Sequence, residues 1–167
     1  EPKITHTAIY DNTAITGGGG IQSSYSNPTL ISVNIFGNIS NSWSGGGANF
    51  RNSEGIFDNC QISQNNSYGQ WSTGGGLYLE ASNISLINAT ISDNNSTLNG
   101  AGIHLHAGTD IEVINSIISS NSPTNVWQES SGEIGQLNIS YSLLEMGQDG
   151  IIADEGAPLI WGSGMIE

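Results

Sequence analysis

An isoleucine returns at nearly constant intervals along this chain, and no other feature of the sequence limits its fold so tightly. The column runs Ile9, Ile35, Ile62, Ile91, Ile118 and then Leu144, in steps of 26, 27, 29, 27 and 26 residues. Three residues further on a second column runs Asn12, Asn38, Asn65, Asn94, Asn121 and then Gly147. Five residues before each isoleucine stands an apolar residue: Ile4, Leu30, Phe57, Leu86, Val113, Ile139. Two residues after that position lies a mostly polar column of His6, Ser32, Asn59, Asn88, Asn115 and Tyr141. Columns that keep one register over about five repeats mark a solenoid, in which each repeat buries its apolar face against its neighbours.

A glycine cluster followed by alternating apolar residues is the remaining landmark. It reads Gly18-Gly19-Gly20-Ile21, Gly45-Gly46-Gly47-Ala48, Gly74-Gly75-Gly76-Leu77 and Gly100-Ala101-Gly102-Ile103. Short segments with period-two alternation follow, such as Leu77-x-Leu79, Ile84-x-Leu86 and Ile111-x-Val113. Isoleucine and valine favour strand, while Gly, Asn and Ser mark corners. No stretch has helical periodicity long enough for a βαβ crossover. A leucine-rich horseshoe has an overlapping period, but the glycine clusters and the isoleucine bias speak against it.

The expected fold is therefore all-β: a right-handed parallel β-helix of about 5–6 coils, each of 26–29 residues. In one coil, strands are expected at Gly76–Glu80, at Ile84–Ile87 and around Ile91, with a variable loop over Asn95–Asn99. The whole of 1–167 reads as one segment, with regular coils over 4–121, an irregular connection over 122–136 and a further coil over 137–167. Val126 or Trp127 is expected inside that connection, and Ile151, Ile152, Leu159 and Ile160 are core candidates in the tail. The asparagine column is expected to form stacked hydrogen-bonded ladders. The glycines are expected to supply positive φ or close approach between coils. No capping helix is apparent, so the chain is expected to be part of a longer solenoid whose raw ends stack end to end.

Charge narrows the partners. Lys and Arg total 2 against 15 Asp plus Glu, a formal net charge of -13. Nucleic acid and anionic membrane are disfavoured, because binding phosphate needs clustered cations. Polyanionic polysaccharide is disfavoured for the same reason. Cys60 is the single cysteine, so no intrachain disulfide and no cysteine-based metal site can form. The longest apolar runs are a few residues, too short to span a bilayer.

The glycine motifs, quoted as Gly19-Gly20-Ile21, Gly46-Gly47-Ala48, Gly75-Gly76-Leu77 and Ala101-Gly102-Ile103, resemble the Gly-Gly-Ala-Ile repeats of bacterial surface proteins, including chlamydial polymorphic outer-membrane proteins. Their Phe-x-x-Asn motif has a loose counterpart in Phe57-Asp58-Asn59. The stretch from Leu137 to Glu145, followed by Trp161-Gly162-Ser163-Gly164-Met165-Ile166, is similar to large secreted β-helix proteins of Bacteroidetes-like bacteria. The pattern as a whole resembles the pectin-lyase-like right-handed β-helix superfamily. This resemblance implies an extracellular or cell-surface location and fixes the fold far better than the activity, since the fold hosts lyases, hydrolases and adhesins alike.

Strand alternation selects the candidate site. If Leu77 and Leu79 point inward, Tyr78 and Glu80 point outward. The same parity exposes Gln22 and Ser24, Asn49 and Arg51, and His104 and His106 on neighbouring coils. Arg51, Glu80 and His106 then share one outward column, with Asn49, Tyr78 and His104 beside it. The superfamily resemblance implies that this strand carries active sites in β-helix polysaccharide enzymes. On that reading His106 or His104 is a general base, Tyr78 an acid, and Arg51 the partner of a uronate carboxylate. The plainer reading is a mixed polar face with an exposed Arg51–Glu80 ion pair of little energetic value.

Other signals are weaker. Glu54, Asp58, Asp93, Asp110 and Glu112 lie near corners and would suit calcium, but none recurs at fixed spacing and no cofactor or metal is expected. No acidic pair stands out as a glycosidase dyad. Trp43 and Trp71 precede glycine clusters, either covering the core edge, the favoured reading, or forming an aromatic platform for sugar rings. Asn38, Asn65, Asn83, Asn88, Asn94, Asn95 and Asn138 fit the N-x-Ser/Thr pattern, mostly by coincidence in so Asn- and Ser-rich a chain. Cys60 reads as a small, inert, partly buried residue. Ice or mineral binding would need a repeated Thr or Asp array, and threonine here is scattered. The leading expectation is a non-catalytic structural or adhesive segment that contacts glycan or a host surface; the alternative is a polysaccharide lyase or glycoside hydrolase.

Overall fold

A computed structural model of the protein describes residues 1–129, 132, 133 and 135–166. Ser130, Ser131 and Ile134 of the expected connection, and Glu167 of the expected last coil, lie outside the described residues. The chain winds into a parallel solenoid with four sheets along its length. The first sheet stacks Lys3–Thr5, Thr29–Ile31, Glu54–Asp58, Asn83–Ile87, Asp110–Ile114, Leu137–Ser140 and Leu159–Trp161. The second stacks Ala8–Tyr10, Asn34–Phe36, Gln61–Ser63, Thr90–Ser92, Ile117–Ser119 and Leu143–Leu144. The third is a narrow sheet of Thr13–Ala14, Ile39–Ser40, Asn66–Ser67 and Asn95–Ser96. The fourth holds Ile21–Ser24, Ala48–Arg51, Leu77–Glu80, Ile103–His106, Val126–Gln128 and Ile151–Ala153.

The repeat columns become rows of paired residues. Ile9, Ile35, Ile62, Ile91, Ile118 and Leu144 are successive partners in the second sheet. Ile4, Leu30, Phe57, Leu86, Val113 and Ile139 are partners in the first. From Leu30 and Ile35 onward both rows are buried in one core. Each such side chain contributes about 1.5–3 kcal/mol relative to exposure.

Two expectations need correcting here. The expected loop Asn95–Asn99 opens with a short strand, because Asn95 and Ser96 pair with Asn66 and Ser67 of the coil before. In the tail, Ile151 and Leu159 pack on the core, but Ile152 and Ile160 point out and are exposed. Strict alternation puts only every second residue of a strand inside. Within the irregular connection the same rule sends Val126 inward, paired with Ile103, and Trp127 outward, paired with His104.

The asparagine column forms a directed ladder. The Oδ1 of each residue accepts from both the backbone N–H and the Nδ2 of the asparagine one coil earlier. These contacts run from Asn38 to Asn65, Asn65 to Asn94 and Asn94 to Asn121 at 2.9–3.0 Å. Every Nδ2 also donates to a core-strand carbonyl, as Asn65 does to Ile35. Where Gly147 breaks the column, Asn125 takes its place and its Oδ1 accepts from Asn121. Asn38, Asn65 and Asn94 are buried in this ladder, so their glycosylation patterns cannot be used in the folded chain.

The corners owe less to glycine than expected. His6, Ser32, Asn59, Asn88, Asn115 and Tyr141 all have φ between 50° and 54°, a left-handed conformation in which asparagine is enriched. Each cluster does begin with a left-handed glycine, Gly17, Gly45, Gly74 or Gly100. The later glycines serve close approach instead: a Cβ on Gly46 would lie 2.4 Å from the carbonyl oxygen of Asn66.

Candidate functional site

Pairing in the fourth sheet fixes two outward rows. One runs Gln22, Asn49, Tyr78, His104, Trp127 and Ile152, and the other Ser24, Arg51, Glu80 and His106. Glu129 follows the strand Val126–Gln128, and its backbone N–H bonds to the carbonyl of Leu105, which sets it beside His106. The six residues singled out from the sequence are thus neighbours on one face. Their exposure was overstated, however: Asn49, Tyr78 and His104 are all buried. They leave the core by alternation, but the connections ahead of the glycine clusters fold over them.

Those connections make the walls of a cleft of about 590 Å³. Trp43, Trp71 and Leu98 come from three successive connections, and Trp127 closes one side. Tyr78, His104, His106 and Glu129 line it below. The favoured expectation that Trp43 and Trp71 cover the core edge is overturned. Trp43 is 49% and Trp71 76% exposed, because the glycine clusters that follow bring the backbone in without them.

A chain of hydrogen bonds runs beneath the cleft. Ser44 Oγ lies 3.0 Å from Thr73 Oγ1, and Thr73 Oγ1 lies 2.5 Å from His104 Nδ1. His104 Nε2 is 3.0 Å from Glu129 Oε2, and His106 Nδ1 is 2.7 Å from the same oxygen. Burial holds the His104 pKa below its ordinary value, against the opposing pull of Glu129. Hydrogen bonding from His104 brings the Glu129 pKa down to about 2, despite partial burial. Neutral His104 facing a carboxylate must carry its proton on Nε2 and accept at Nδ1 from the Thr73 hydroxyl. Its ring is also fixed by the Trp127 indole, stacked at 4.4 Å and 5°.

The other half of the site is held by Glu80. Its Oε2 accepts from the Tyr78 hydroxyl at 3.2 Å. Arg51 Nε lies 3.1 Å from the same oxygen, an ion-pair distance, yet it makes no hydrogen bond among the described residues. The guanidinium rests 5.3 Å from the Trp43 ring and 5.7 Å from the Tyr78 ring. Burial first, then the Glu80 charge, push the Tyr78 pKa up, so its phenol stays protonated. Arg51 is therefore already engaged on three sides rather than extended toward a ligand.

The sequence reading missed Glu129, Thr73, Ser44 and Trp127. The signal for Trp127 and Glu129 lies in aligning Val126 with Ile103, which the missing glycine cluster obscured. Thr73 and Ser44 precede glycine clusters at matching positions, but nothing local marks them as partners of a histidine. Of the acidic corner residues weighed for calcium, none joins a group of three metal-competent side chains among the described residues. The group that does form is His104, His106 and Glu129.

The family model described as right handed beta helix region matches residues 2–143. No curated protein and no solved structure matches the chain. The matched span covers most of the length. The chain therefore belongs to the right-handed β-helix family.

Proposed function

We propose that this chain is a non-catalytic, glycan-binding segment of a secreted or cell-surface protein, and that the tryptophan-walled cleft is its sugar site. The observation that carries the reading is the placement of Trp43, Trp71 and Trp127 around a floor of hydrogen-bonding side chains. Sugar rings present apolar C–H faces that pack on indoles and hydroxyls that need fixed polar partners. Tyr78, His106 and Glu129 supply the latter. The ligand favoured is neutral, since Arg51 is paired with Glu80 and the chain carries a net charge of -13.

Titration of neutral and uronic-acid oligosaccharides, followed by tryptophan fluorescence and calorimetry, tests the reading. Saturable binding of a neutral glycan, lost on Trp71→Ala, is the expected result. Absence of binding across the panel would overturn it. A lyase or hydrolase is the second reading, favoured by the 6.0 Å approach of the Tyr78 and His106 rings, an acid and a base candidate on one face. Unsaturated or shortened products, abolished by His106→Ala, would favour that alternative.

A further inference from the structure

We infer that His104, His106 and Glu129 form a binding site for a divalent transition metal ion, Zn²⁺ in the first instance, opening into the cleft. The three side chains come from two adjacent coils, and all line the cleft. Their ligand atoms lie within 4.8 Å of one another. Glu129 Oε2 is 3.0 Å from His104 Nε2 and 2.7 Å from His106 Nδ1. Zinc holds nitrogen and oxygen at about 2.0–2.2 Å, so neighbouring ligand atoms stand about 3.3–3.6 Å apart around a tetrahedral ion. The two Glu129 separations are shorter than that and no ligand pair is further apart than 4.8 Å, so side-chain rotation brings all three into range.

The donor set selects the metal class. Two imidazoles and one carboxylate suit zinc, iron, nickel or copper, whereas calcium and magnesium prefer oxygen alone. Three protein ligands leave a position open, here toward the cleft. Support behind the ligands is in place. His104 Nδ1 lies 2.5 Å from Thr73 Oγ1, which is in turn 3.0 Å from Ser44 Oγ. With a metal on Nε2, the Nδ1–H donates to Thr73 and the Thr73 hydroxyl donates to Ser44. An outer hydrogen bond of this kind fixes the ring and its tautomer. Stacking on Trp127 holds the same ring from the side. The inference rests on the ligand geometry and stands whether or not the cleft takes sugar.

The experiment is titration of the untagged, chelator-stripped chain with Zn²⁺ by calorimetry and with Co²⁺ by visible absorption. One ion per chain and a Co²⁺ d–d band are the expected results. His106→Ala and Glu129→Gln each remove a ligand and should weaken binding more than the roughly 10- to 100-fold expected for Thr73→Val, which removes only an outer hydrogen bond. The His106 side chain is 25% exposed and its removal breaks the 2.7 Å contact to Glu129, so a cooperative melt of each variant, only modestly below wild type, shows that lost binding is not lost folding. His6→Ala, at a distant corner, should bind as wild type. No saturable binding of either ion, or binding unchanged in His106→Ala and Glu129→Gln, would overturn the inference.

Discussion

Gly76 lies so close to the side-chain amide of Asn94 that a Cβ on the glycine would sit 3.0 Å from Nδ2 and 2.7 Å from the carbonyl oxygen of Gly102. The relationship repeats one coil earlier, where Gly47 meets Asn65, and again where Gly20 meets Asn38. The glycine and asparagine columns are two halves of one device. An inward amide fills the volume beside each glycine, and that glycine lets the next coil approach.

Gly76→Ala should therefore destabilise the fold although alanine favours most backbones. The added methyl meets backbone above and amide beside it, and overpacking of this kind costs about 1–3 kcal/mol. Urea denaturation reads the loss as a lower midpoint with an unchanged slope. A wild-type midpoint would show that the coils have room to separate.

Ladder position should decide the cost of losing an asparagine. Asn94→Ala takes the acceptor from the buried Asn65 backbone N–H, at about 1–3 kcal/mol, and removes one donor each from the Ile62 carbonyl and from Asn121 Oδ1, which keeps its bond from the residue 94 backbone N–H. Asn12 lies at the exposed end, and Asn12→Ala should cost less than about 1 kcal/mol. Equal melting temperatures for the two variants would contradict the ladder.

Trp71→Ala should uncouple binding from stability. The indole is mostly in solvent, so its loss should leave the melting temperature within about 2 °C of wild type, as for most surface substitutions. Affinity for a glycan seated in the cleft should fall about tenfold, equivalent to about 1.4 kcal/mol. A variant that binds as wild type would place the sugar elsewhere.

In metal-free buffer the site should lose stability on the acid side. His104 has a folded pKa below its ordinary 6.5, with Glu129, His106 and Asp154 as the charged groups acting on it. An unfolded chain takes up that proton first, so the contribution of His104 is complete above about pH 6.5 and declines below it. Glu129 has its pKa down to about 2 from 4.5, so its contribution is lost as pH falls through that lower window. The melting-temperature difference between wild type and Glu129→Gln should shrink as pH falls from 4.5 toward 2. A curve unaltered by that substitution would contradict the assignment.

Cys60 should be unreactive in the native chain. It is buried, its Sγ faces the carbonyls of Leu30 and Asp58, and burial pushes its pKa up, which keeps the thiolate population low. Labelling with a thiol reagent should be slow in buffer and complete in denaturant. Fast native labelling would show that the corner between the first two sheets opens.

The rows of the core, the asparagine ladder and the outward placement of Arg51, Tyr78, Glu80, His104 and His106 were legible in the sequence. A repeat with one register forces equivalent side chains into line, and strand alternation assigns the face. What lay outside that logic is where the chain departs from the repeat. The connections that carry Ser44, Thr73, Trp43 and Trp71 have no fixed period, and the coil that carries Trp127 and Glu129 lacks its glycine cluster. Their positions depend on contacts between residues of different coils: Thr73 against His104, Trp127 stacked on the same ring, Glu129 between two imidazoles. Periodicity determined the scaffold because it acts through nearest neighbours along one axis. The cleft was decided only when irregular segments packed across that axis.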